Sequence, residues 1–203
     1  MAVQSGKKAG VSTGALLSLL LVIALTGAAT FGSALAESNM DRRVKFGLTM
    51  FQAMLAADMD ILAKKGEEDK FLVILVYGKD KRAAERGMEL LERIGQEKQL
   101  EIKGVAAGFA MASLEELQGM DARKIAGLFL AEPLSPEELG VFVLIGVRRG
   151  LMAFSPFEGD VEAGAFAGLS VEAKVRPYIN TKTMRKSGIR VKPFFLKVAK
   201  QYE

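Results

Sequence analysis

A chain of 203 residues has room for one domain of ordinary size, and with half its residues hydrophobic it can bury a substantial core. It contains no cysteine and no histidine, which removes disulfides, thiolate nucleophiles, Cys-ligated zinc and the commonest general base, so any catalysis would rest on carboxylates, lysine or hydroxyls. The formal charge of +4 arises from 28 basic and 24 acidic residues that alternate through most of the chain, and no nucleic-acid partner is expected from them.

The slightly positive mean hydropathy comes from one segment. Val11 to Ala36 carries no charge, follows Lys7 and Lys8, is densest in apolar residues from Leu16 to Leu25, and ends in Ala34-Leu35-Ala36. This is the grammar of a secretory signal peptide, with cleavage expected after Ala36 and a single domain over 37–203 exported across the membrane. An uncleaved anchor is the competing reading, since a spanning helix needs about 20 apolar residues. Gly27, Gly32 and Ser33 favour the peptidase site. Without cysteine, a lipid-modified N-terminus is excluded.

From Val44 to Leu62 apolar residues recur at helical spacing and predict an amphipathic helix with one wide apolar face. Met50, Phe51, Met54 and Met59 on or near that face fit either an adaptable partner surface or plain packing on a sheet. Phe71 to Tyr77, leaving through Gly78-Lys79-Asp80, is a short apolar run between charged flanks, the pattern of a strand buried on both faces. Lys81 to Lys98 reads as a surface helix, and Leu100 to Ala106 as a second strand broken at Gly104.

Ser113 with Glu116 forms a capping-box pattern opening a short helix that ends near Gly119. Ile125 to Ala131 is a third strand. Ser135-Pro136-Glu137-Glu138 combines a capping box with proline at the first helical position and predicts a helix to about Arg149, although Val141 to Val147 favours a strand by propensity. A fourth strand follows at Leu151 to Phe154.

Helices between strands at this spacing predict an α/β fold, a three-layer doubly wound sheet, mostly parallel. Its ligand-competent edge lies at the carboxyl ends of the strands, placed at Gly78-Lys79-Asp80, Ala107-Gly108-Phe109, Glu132-Pro133 and Ser155-Pro156. Lys79 and Asp80 are the candidate residues of a solute crevice there, or ordinary loop charges. No Gly-rich phosphate loop, nucleophile elbow or spaced ligand set is present, so no cofactor, metal or catalytic residue is expected.

In the last third, Phe166 to Val171 and Lys174 to Ile179 predict an edge hairpin, with Pro177 marking the edge. Asn180 caps a short helix, Thr181 to Ser187, closed by Gly188, and a terminal helix begins at Pro193 and carries PFFLKVAKQ. Basic residues outnumber acids here; Lys192 and Lys197 belong either to a face for an anionic partner or to a solvated surface.

This block, with Tyr178-Ile179-Asn180, the helix to Ser187, Gly188-Ile189-Arg190-Val191 and Phe194-Phe195-Leu196-Lys197-Val198-Ala199, resembles the C-terminal part of the YfiR family of periplasmic proteins. Asn180 and Gly188 are the structural positions of that motif. The resemblance implies a regulator that binds the periplasmic domain of an inner-membrane diguanylate cyclase and holds it inactive, lowering cyclic di-GMP by contact and without chemistry. It points to the methionine-rich helix and the basic C-terminal helix as contact surfaces. The redox tuning available to members with paired cysteines is closed to this chain. A homodimer is left open, as is the second reading, a periplasmic solute-binding protein using the strand-end crevice.

Overall fold

The computed structural model describes residues 42–97 and 100–203; the expected signal peptide and its cleavage site lie outside them. In chain order these residues form α1 (42–57), β1 (Phe71–Tyr77), α2 (Lys81–Glu97), β2 (Glu101–Ile102), β3 (Val105–Ser113), α3 (Leu114–Gly119), β4 (Gly127–Leu130), α4 (Pro136–Arg149), β5 (Met152–Ser155), β6 (Ala167–Val171), β7 (Val175–Asn180), α5 (Thr181–Ser187), α6 (Pro193–Val198) and β8 (Lys200–Tyr202).

β1 is an interior strand of the sheet because both its neighbours and both its faces are apolar. Val73 to Val76 are fully buried, and β1 pairs in parallel with β3 on one side and β4 on the other. The sheet has eight strands in the order β2-β3-β1-β4-β5-β6-β7-β8. β3 through β6 run parallel to β1, β7 turns antiparallel to β6, and β8 runs parallel to β7. The α/β sheet flanked by helices, mostly parallel with a C-terminal hairpin, is therefore the observed fold.

Helices cover both faces. On one, Phe51 of α1 meets Phe129 of β4 and Phe154 of β5 at centroid distances of 5.9 and 5.3 Å, and the two strand rings stack at 5.5 Å. α2 lies on the same face, with Gly87 against Leu75. On the other face Gly146 brings α4 down onto Ala153, where an added Cβ would stand 2.7 Å from its methyl group. Burying this aromatic trio contributes on the order of 1.5–3 kcal/mol per ring.

The N-terminal helix ends earlier than its spacing predicts. The chain leaves it at Asp58, which bridges to Val191 in the C-terminal block, and a 3-10 turn Ile61–Lys64 follows. The second strand also shifts: Lys103 and Gly104, both at positive φ, make the tight turn of a β2–β3 hairpin. The strand that pairs with β1 is accordingly 105–113, so Ala107, Gly108 and Phe109 lie within it, opposite Phe71 to Val73, and not at a carboxyl end. The terminal helix stops at Val198, and Lys200 to Tyr202 add an unpredicted strand to β7. β8 covers β7 only from Tyr178 onward, so Pro177, which has no N–H to donate, sits where that edge is open.

α4 is helical against its strand propensity because its ends are fixed locally. Ser135 Oγ accepts from the Glu138 N–H and Glu138 Oε2 from the Ser135 N–H, Pro136 sits in the first turn, and Gly150 closes the helix in the left-handed region at φ 62°.

Candidate functional site

With β1 between β3 and β4, the chain departs to one side after β1 and to the other after β3, so the topological switch point lies at the carboxyl ends of β1 and β4. Glu132 follows β4 there. Its Oε1 accepts from the backbone N–H groups of Gly78, Lys79 and Asp80 at 2.6, 2.9 and 3.1 Å. Three converging N–H groups ahead of a helix form an anion-binding nest. In this protein the occupant of the nest is its own carboxylate. Gly78 is required for the approach: a Cβ would stand 2.7 Å from Leu134 Cδ2 and 3.3 Å from Glu132 Oε1.

The neighbouring helix starts are closed the same way. Asp80 Oδ1 accepts from the Arg82 N–H at 3.1 Å and also from its Nε, and that side-chain bond holds its carboxyl below the usual range. Glu116 closes the capping box of α3, and the Ser113 N–H holds it low. Glu138 does the same for α4, held low by the Ser135 N–H and then by Lys79, whose Nζ is 3.9 Å away. After β5, Ser155 Oγ donates to Asp160 Oδ2 at 2.5 Å and accepts from the Phe157 N–H, while burial pushes the Asp160 carboxyl up. The two residues expected to line a solute crevice are thus brought together at the switch point, each bonded into the edge by its own backbone or side chain. Spacing along the chain does not mark Glu132 as a partner for them, because its role depends on β4 lying next to β1.

The expected partner surface divides. Phe51 and Met54 are buried in the core under α1 and cannot meet a partner; the apolar stripe they belong to packs on the sheet. Met50 is half-buried against the same core. Met59 lies beyond the end of α1 and is 49% exposed. It is joined to the C-terminal block by backbone bonds: the Met59 N–H donates to Arg190 O at 2.8 Å and the Lys192 N–H to Ala57 O at 3.0 Å. Arg190 Nε reaches Asp60 Oδ2 at 2.9 Å, and buried Asp58 pairs with Lys64 Nζ at 2.8 Å. Lys64 Nζ also donates to Gly150 O, which places the junction beside the amino-terminal edge of the sheet. On the segments that this junction joins, Leu62, Phe194 and Val198 are 53%, 63% and 58% exposed, and Lys192 and Lys197 flank Phe194 in sequence. Phe194 and Val198, four residues apart on α6, share a face, a signal readable from their spacing once Phe195 is known to point inward.

Asn180 and Gly188 have structural roles. Asn180 is buried, its Oδ1 accepts from the Thr183 N–H at 2.9 Å and its Nδ2 donates to Val161 O at 2.8 Å; Gly188 closes α5 at φ 70°. Among the described residues no group of three or more acidic side chains is placed to hold a metal ion, and no helix is long and apolar enough to cross a membrane.

No family model and no curated protein matches the chain. Among solved structures it is similar to the ligand-free, open form of a substrate binding protein with adhesive properties from Clostridium difficile, at TM-score 0.48 and 11% identity over 71% of this chain and 57% of that one. A conserved domain protein from Vibrio cholerae aligns at TM-score 0.49 and 16% identity over 69% and 57% of the two chains. The ABC domain in complex with L-Trp from Streptococcus pneumonia aligns at 0.44 and 13% over 73% and 61%. The chain spans less than two thirds of each of these proteins, and likenesses of this degree name no family for it.

Proposed function

We propose that this chain is a non-catalytic binding protein of the periplasm that acts by contact on a membrane signalling protein, as its resemblance to the YfiR family implies, with a diguanylate cyclase as the expected target. The observation that carries this reading is the state of the strand-end edge: the nest at the switch point is filled by Glu132 and the adjoining helix starts by Asp80, Glu116 and Glu138. Exposed apolar side chains stand at Met59 and Leu62 beyond α1 and at Phe194 and Val198 on α6, and others at Phe46 on α1 and Val141 and Leu144 on α4. A contact regulator needs such a face and a two-state partner whose equilibrium the contact biases.

The test is genetic and chemical together. Deleting the gene should raise cyclic di-GMP, the intact gene should restore it, and Phe194→Glu with Val198→Glu should fail to restore it while leaving the purified domain folded. A photo-crosslinker at Met59 should capture a membrane signalling protein. Cyclic di-GMP unchanged on deletion would remove the cyclase, and restoration by the double variant would remove this face.

A second reading rests on the same nest. A site that holds the Glu132 carboxylate through three N–H groups would also hold a solute carboxylate that displaced it, which is the solute-binding alternative. Glu132→Ala should then gain thermal stabilisation from carboxylate-bearing metabolites; a screen in which neither form is stabilised counts against it.

A further inference from the structure

The sheet face that carries α4 also carries a strip of cations with no counter-charge among the described residues. On α5, Lys182, Arg185 and Lys186 are exposed and stand at i, i+3 and i+4, so they share one side of the helix, while Thr181 and Thr183 are buried. None of the three has an ion-pair partner among the described residues. The helix dipole accounts for Arg185 and Lys186 in the last turn, but Lys182 lies in the first turn, where a cation is disfavoured and no acidic residue stands. Like charges three and four residues apart also repel one another along a helix. The strip is therefore kept at a cost to α5 itself.

α4 continues the strip and adds apolar surface to it. Both helices reach the turn at Gly164, whose carbonyl accepts from Thr183 Oγ1 at 2.9 Å and where an added Cβ would stand 3.5 Å from Val143 Cγ1. Their C-terminal ends adjoin as well, with the place of a Cβ on Gly150 3.5 Å from Ser187 O. On the outer side of α4, Val141, Leu144 and Arg148 stand at i, i+3 and i+7, the first two 37% and 44% exposed. Arg148, in the last turn, has no ion-pair partner among the described residues either. The one exposed carboxylate on the two helices is Glu137, at the opposite end of α4, and Glu162 of the adjoining loop is bonded to Tyr178.

We propose that the α4–α5 face docks on the surface of a bilayer that contains anionic phospholipid. Arg148, Lys182, Arg185 and Lys186 meet the headgroup phosphates, and Val141 and Leu144 enter the boundary between headgroups and acyl chains, as the two sides of an interfacial amphipathic helix do. Charge complementarity calls for an anionic partner, and the apolar side chains beside the cations decide which kind. A soluble polyanion or an acidic loop neutralises α5 but leaves Val141 and Leu144 in water; a lipid interface takes both sets of groups at once. Two aliphatic side chains bury little, so the attachment is reversible, mostly electrostatic and weakened by salt. The proposal goes beyond the contact reading and uses none of its residues.

Vesicle co-sedimentation tests it, with the chain recovered after export and vesicles of phosphatidylglycerol and phosphatidylethanolamine in equal parts. Wild type should sediment with them, be released as salt is raised, and stay in the supernatant with phosphatidylcholine alone. Each cation near an anionic surface contributes about fivefold to binding, so Lys182→Gln with Lys186→Gln should weaken it about twentyfold or more. The chain contains no tryptophan, so Leu144→Trp gives a single reporter whose emission should shift to the blue on the anionic vesicles and be quenched by brominated acyl chains. Phe194→Gln with Val198→Gln, which alters no charge, should bind as wild type does, and this keeps the outcome apart from that of the contact reading. All the substituted side chains are exposed, and thermal unfolding checks that each variant is folded. Wild type that fails to sediment with the anionic vesicles overturns the proposal, as does full binding by the Lys182→Gln, Lys186→Gln variant. Binding lost with those charges while the Leu144→Trp emission does not move would assign the strip to a soluble polyanion or an acidic protein, and overturns bilayer docking too. Loss with the Phe194 and Val198 substitutions alone would place the lipid contact on α6, with the same result.

Discussion

Glu132 and Asn180 each carry several hydrogen bonds through one side chain, and they differ in exposure. Removing Glu132 leaves three N–H groups of the β1–α2 turn without their acceptor, but water reaches that turn. Glu132→Ala should lower stability by about 1–3 kcal/mol and Glu132→Gln by less, measured by urea denaturation. Equal losses would show that the amide oxygen does not hold the nest. Asn180 is 4% exposed, so its two bonds are lost without compensation. A lost cap alone costs about 1 kcal/mol, and the Val161 carbonyl left without its donor adds a similar amount or more, so Asn180→Ala should cost about 2–3 kcal/mol. Asn180→Asp keeps the cap acceptor and loses the donor to Val161; if it were as stable as wild type, the bond to Val161 would be worth nothing.

Helix and strand boundaries that depend on neighbouring residues were readable in advance, and those set by distant partners were not. The caps of α3, α4 and α5 are local: Ser113 with Glu116, Ser135 with Glu138, and Asn180 with Gly188 act within a few residues. That is why α4 overcame the strand propensity of Val141 to Val147. The early end of α1 is different, because Asp58 leaves the helix to meet Val191, 133 positions on along the chain. The strand at Lys200 to Tyr202 likewise exists only because Tyr178 to Asn180 offer it an edge. The site followed the same division. Lys79 and Asp80 were visible at a strand end, while Glu132 required knowing that β4 lies beside β1. Gly146 makes a related prediction at this scale. Alanine is favoured over glycine in a helix by about 1 kcal/mol, yet the added methyl would meet Ala153 Cβ at 2.7 Å and Leu151 O at 3.1 Å. Gly146→Ala should therefore lower the melting temperature, and a higher one would mean that α4 shifts off the sheet without cost.

For the molecule as a whole, acid and base act through opposing groups. The carboxyls of Asp60, Asp80, Glu116, Glu138 and Glu172 are held low by Arg190, Arg82, Ser113, Ser135 and Lys200 respectively. Their stabilisation is fully present above the unfolded carboxylate range near about 4 and is lost as pH falls through the lowered folded values. Asp160 has the opposite sign. Burial raises it, so its contribution is present below its unfolded value and disappears as pH rises through the folded one. The melting temperature should therefore fall in acid. The difference between Asp160→Asn and wild type should shift in favour of the variant as pH rises from acid to neutral, and a difference independent of pH would remove burial as the cause.

The strand order also has a kinetic side. From β1 outward the row β1, β4, β5, β6, β7, β8 follows the order of the chain, with the β2–β3 hairpin added to the other flank. Each strand after β4 therefore docks on the one completed just before it, and no later strand must be threaded between two already paired. A sheet of this kind can be laid down as the chain emerges from a pore, its growing margin always the next docking site, with short closure distances that favour fast folding.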